Sequence, residues 1–113
     1  MSISVDLADL EAVVAGRWGY LIVGSSQSER PPKVMALCPR VADGVFILDV
    51  GLGGMYRLAQ AGGVCSFVLP PTGEGPLGEY SLVIDGALGV DGDLVRVVPA
   101  SAVWHRPAPR SVT

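Results

Sequence analysis

The stretch that decides the fold is "YSLVIDGALGVDGDLVRVVP", residues 80–99. Residues 80–90 form the longest strand candidate of the chain, rich in branched apolar side chains. Asp91-Gly92 is a tight-turn signal, and "DLVRVVP" returns as a second strand, so the segment reads as an antiparallel hairpin. Such a hairpin suggests an antiparallel architecture rather than a parallel sheet, whose strands need a longer crossover than Asp91-Gly92.

Upstream, the pattern repeats. "WGYLIVGS" (18–25) is a short apolar strand followed by the polar loop "SQSERPP". "KVMALCPR" (33–40) is the next strand, and Asp43-Gly44 turns it into "VFILDV". "VCSFVLPP" (64–71) is a strand closed by two prolines, and "TGEGPLGE" (72–79) is a glycine- and proline-rich loop. The chain opens on a helix: Asp6 is the expected N-cap, Leu7, Leu10, Val13 and Val14 recur at helical spacing, and Gly16 is the stop. A short helix follows the third strand, and "PASAVWHRP" (99–107) is expected to form one or two helical turns between its prolines. Six closely spaced antiparallel strands with a leading helix and short helices predict a small, mainly β barrel over residues 6–107, with 108–113 as a flexible tail.

Composition narrows the function. The 113 residues are 50% hydrophobic and only 17% charged, and the mean hydropathy is +0.46. One domain of this size buries roughly two-thirds of its unfolded surface. So few charges cover the remainder poorly, and an apolar patch buried in a homodimer is expected. The net charge of −3, with one lysine among eight cations, gives no basic stripe for nucleic acid. Apolar runs fall well short of the ~20 residues of a membrane span, and the acidic first sixteen residues do not resemble a signal peptide. A cytoplasmic protein is expected. Cys38 and Cys65 each sit in an apolar run and read as buried reduced thiols. With His105 as the only histidine, no metal site is expected.

The order of elements, with "GRWGYLIVG" (16–24), "GVFILDVGLGGMYRLA" (44–59) and the closing "VDGDLVRVVPASAVWHRP" (90–107), resembles the pyridoxamine-phosphate-oxidase-like split β-barrels, in the manner of short actinobacterial members. The resemblance spans about Leu7 to Pro107. It implies a dimer holding FMN at its interface, with the phosphate gripped from the second strand and from the turn after the third. The matching positions are Lys33 and Arg57, with Gly53 and Gly54 before Arg57 and Tyr56 as a ring contact. Tyr80 is a further aromatic that could line the flavin ring.

In "DVGLGGMYRLA" the parts of a phosphate cradle stand in order: glycines that let backbone N–H groups approach, a helix start, and an arginine that can close on two oxygens. The same glycines also suit a bend at a strand exit, because Gly51-Leu-Gly53-Gly54-Met-Tyr56 is not GxGxxG. The turn departs from the family pattern as well. Leu58 and Ala59 replace the usual Asn-Leu, Gly62-Gly63 stands for the proline turn, and glycine replaces the hydroxyl residue before the cation. Deazaflavin is the alternative cofactor, and a cofactor-free dimer acting as a small-ligand binder or interaction module is the alternative function.

Other residues have plainer readings. Lys33 also suits an exposed strand-edge charge. Arg17 is expected to satisfy the last carbonyls of the first helix, and Trp18 to pack in the core or an interface. Trp104, His105 and Arg106 echo the phosphate-binding tail of true pyridoxamine-phosphate oxidases, but this chain lacks the length for that substrate site, and no residue is assigned as a catalyst. Asp49 and Asp85 fall within apolar runs; each either faces solvent or marks a polar pocket.

Overall fold

A computed structural model describes residues 2–24 and 29–108. It contains eight strands: β1 (Ser2–Ser4), β2 (Gly19–Val23), β3 (Lys33–Leu37), β4 (Arg40–Ala42), β5 (Val45–Leu48), β6 (Val64–Leu69), β7 (Ser81–Asp91) and β8 (Leu94–His105). Two short helices, α1 (Leu10–Val14) and α2 (Gly54–Gln60), complete it. All pairings are antiparallel, in the order β3-β2-β6-β7-β8-β5-β4. β1 lies beside the C-terminal part of β8, next to the edge that β5 occupies further along.

The sheet curls into a half-barrel, and the chain path gives the reason. β3 and β4 stand at opposite ends of the strand order, yet only Cys38 and Pro39 separate them. Three Cα steps span at most about 11 Å, so the two sheet ends must come close together. Pro39 has no N–H to continue a ladder, and the run 33–40 breaks there into two strands where one is expected.

The inner face is wholly apolar. Leu21, Phe46, Phe67, Leu69, Leu82, Ile84, Val95 and Val97 are inaccessible, and Phe46 meets Phe67 edge-on with ring centroids 5.9 Å apart. Among the described residues no polar or charged residue is buried. Chemistry is therefore confined to the surface and its clefts.

The leading helix is shorter than its periodicity predicts. Asp6 does cap it, its carboxylate accepting from the Ala8 N–H at 3.0 Å, but Leu7–Asp9 is a 3-10 turn before α1. Gly16, at φ +72°, ends it as expected. Leu10 and Val14 supply its buried face.

The C-terminal segment corrects an expectation. Residues 99–105 are not helical turns but the continuation of β8, paired with β7 as far as Ser81↔His105. A β-bulge between Asp85 and Gly86 sets Pro99 opposite Gly86, one of the settings in which a strand tolerates proline. β7 is eleven residues long and requires a partner of equal length, which outweighs the helical start that proline suggests.

Three smaller expectations also change. Cys38 is exposed, because it sits in the β3–β4 connection, whereas Cys65 is buried on β6. Trp18 is 68% exposed and so is no part of the core. The Arg17 guanidinium reaches the Pro70 carbonyl at 3.2 Å instead of the end of α1, which is closed by the Arg17 backbone N–H on the Val14 carbonyl. Among the described residues no helix is long and apolar enough to cross a membrane. Of the expected tail, residues 109–113 lie outside the described set, as do residue 25 at the end of the first strand run and residues 26–28 of the polar loop.

Candidate functional site

β5 leaves the half-barrel at Leu48 and the chain turns into α2 across residues 49–53. The glycines divide the work. Gly51 adopts φ +72°, a left-handed conformation that glycine enters without strain. Its N–H donates to the Asp49 carboxylate at 3.3 Å, which fixes the turn. Asp49 accordingly faces solvent just beyond the strand. Gly53 and Gly54 have no positive φ, and a Cβ on Gly53 would meet nothing within 4 Å. The opening of α2 is uncovered at Gly53.

Lys33 comes to this opening from β3. Its Nζ lies 3.9 Å from the point that a Cβ on Gly54 would occupy. The two residues are 21 positions apart in the sequence, and the fold brings the start of β3 to the first turn of α2. Arg57 is exposed three residues after Gly54, a spacing that puts both on one side of the helix. Leu58, Lys33, Pro31, Pro32 and Arg30 line a cleft of about 350 Å³ beside this edge. Arg30 escaped the sequence reading because it stands in a polar loop with no periodicity to orient it. Two cations in one cleft, with a third on the adjoining helix face, can hold an oxyanion by charge-assisted hydrogen bonds. A helix of seven residues adds little dipole of its own, so the field comes from these side chains.

Tyr56 points to the β7–β8 turn. Its hydroxyl donates to the Gly92 carbonyl at 2.6 Å, tying α2 to the β7–β8 turn, and its ring is half-buried against the core. Tyr80 lies elsewhere, in a cavity of about 230 Å³ shared with Arg17, Glu74, Leu77 and Trp104. His105, at the end of β8, is exposed.

A larger cleft of about 600 Å³ lies on the outer face of β2, β6 and β7, lined chiefly by apolar residues that include Ile22, Val64 and Ala87. Its polar element is a pair: Ser66 Oγ donates to Asp85 Oδ1 at 2.6 Å, and both stand on adjacent strands in direct register. Asp85 therefore faces the outer cleft and not the core. Burial, with the Asp85 carboxylate adding to it, raises the neighbouring Cys65 thiol to about 11, so that thiol is protonated at neutral pH. Among the described residues no group of three or more His, Cys, Asp or Glu side chains is placed to hold a metal ion.

Comparison with protein-family models, with curated proteins and with solved structures gives no match to this chain.

Proposed function

We propose that the protein is an FMN-binding split-barrel protein of the pyridoxamine-phosphate-oxidase-like kind, with the cofactor held between two copies of the chain. Lys33, Gly53, Gly54 and Arg57 would surround the phosphate. The observation that carries this reading is the meeting of Lys33 with Gly54. The resemblance in sequence implies that the start of one strand and the turn after another hold the phosphate jointly, and in the fold those two segments adjoin. Arg30 adds a cation that the resemblance did not supply.

Bound there, the flavin ring would supply hydride chemistry, and the chain would contribute orientation and charge. Lys33 and Arg57 would neutralise the phosphate, and the open Gly53–Gly54 backbone would allow its close approach. Tyr56 would contribute its ring alone, because its hydroxyl is engaged with Gly92. No side chain is assigned as nucleophile or general base.

One observation favours the alternative, a deazaflavin-binding or cofactor-free dimer that binds small ligands or serves as an interaction module. The Gly51 N–H already serves Asp49, so the cradle has one donor fewer and a carboxylate close by. Titration of the apo-protein with FMN, followed by quenching of flavin fluorescence, separates the readings. Saturable quenching that weakens about tenfold or more in Arg57→Ala and in Lys33→Ala supports the flavin site. Absence of quenching at saturating FMN, with the protein folded, overturns it. A deazaflavin titration then decides between the two remaining readings.

A further inference from the structure

On the outer face of the sheet, Val64, Ala87 and Val98 form one row across β6, β7 and β8, each in direct register with the next. Val64 is 80% exposed and Val98 43%, so the row is apolar and open to solvent, with Val64 and Ala87 also lining the outer cleft. Two residues along β7 from Ala87, on one side of the row, stands Asp85, exposed and with Oδ1 oriented by Ser66. Two residues from Ala87 on the other side stands Gly89, and across it lies the Arg96 side chain. Arg96 Nη2 is 3.6 Å from the point that a Cβ on Gly89 would occupy. Because Gly89 has no side chain, the Arg96 guanidinium leans from β8 onto the line of β7. One carboxylate and one guanidinium are thus placed symmetrically about an apolar row, roughly 13 Å apart along the strand at about 3.3 Å per residue.

We infer that this face is where a second copy of the chain packs, with the two-fold axis running along the Val64–Ala87–Val98 row. The inference rests on the homodimer of the reading above and adds its register. A two-fold axis along the row exchanges its two sides. Each apolar residue then meets its own counterpart, and Asp85 of each copy lies opposite Arg96 of the other. The pair forms twice, at equal distances from the axis. The charge pattern selects this register: shifting the axis by two residues towards Asp85 would set the two carboxylates against each other.

Sedimentation equilibrium of the full chain without flavin tests it, using wild type, Asp85→Arg, Arg96→Asp and the double variant. The wild type is expected to be a dimer. Each single reversal creates two like-charge contacts and is expected to weaken the dimer about 30-fold or more, while the double reversal restores it to within about threefold of wild type. A monomeric wild type overturns both the register and the homodimer. A dimer indifferent to the single reversals, or one the double reversal does not restore, overturns the register alone. Both side chains are exposed, and circular dichroism verifies that each variant is folded; Arg96→Asp decides the matter by itself should Asp85→Arg fail to fold. The flavin reading is tested separately by the FMN titration.

Discussion

Lys33 and Gly54 meet with the ammonium 3.9 Å from the position of an added Cβ, an ordinary contact distance at which a small side chain fits. Gly54→Asp therefore separates binding from stability. An aspartate in the first turn of α2 suits the helix, so the melting temperature is expected to hold or rise by a degree or two. The new carboxylate would pair with Lys33 and repel an anion, so FMN quenching is expected to be lost. Retained FMN binding in this variant would remove Lys33 and Gly54 from the site.

Tyr56 and Gly92 tie α2 to the β7–β8 turn by one hydrogen bond of 2.6 Å. Tyr56→Phe removes the donor and keeps the ring. A loss of about 0.5–1.5 kcal/mol in urea unfolding is expected, with the slope of the transition unchanged. A null effect would mean that water replaces the tyrosine at no cost.

These two residues also show how far the sequence could be read. The turn after the third strand was legible as a glycine-rich exit into a short helix, because it has a local pattern to orient it. The role of Tyr56 was not, since its partner Gly92 lies 36 residues away and a phenol has no sequence signature for its acceptor. The strands of the half-barrel were legible from their apolar runs and their turns at Asp43-Gly44 and Asp91-Gly92. The extension of β8 to His105 was hidden by Pro99, since the bulge opposite Gly86 that accommodates the proline exists only once β7 is in place. β1 was missed because three residues carry too little alternation to be seen.

Cys38 and Cys65 should differ in reactivity. Cys38 is exposed, whereas Cys65 is buried with its thiol raised to about 11. A disulfide reagent at pH 8 is expected to label one thiol quickly and the second only on unfolding. The folded Cys65 holds its proton to higher pH than the unfolded thiol, whose ordinary value is 9.0. Its contribution to stability is thus complete below about pH 9 and declines as pH rises towards 11. Asp85→Asn takes away the smaller of the two causes of the upward shift, so in the variant the decline should begin at the same pH and level off at a lower pH than in the wild type. Because burial is the larger, the two profiles are expected to lie close together.

Gly86 and Gly19 test the closeness of the sheet's packing. A Cβ on Gly86 would lie 2.6 Å from the Val98 carbonyl oxygen and 2.9 Å from Val97 Cγ1. On Gly19 it would lie 2.7 Å from both Phe67 Cζ and the Val68 carbonyl oxygen. Backbone oxygens in a ladder cannot give way without loosening the pairing, so alanine at either position is expected to destabilise the fold by about 1–3 kcal/mol or more. Gly53→Ala is the control, since a Cβ there meets nothing within 4 Å and the residue is exposed. Gly53 is the N-cap of α2, and its replacement by alanine should cost no more than about 1 kcal/mol. If Gly86→Ala unfolded like Gly53→Ala, the bulge would have room that the close contacts with Val97 and Val98 deny, and Pro99 would need another explanation for its place inside β8.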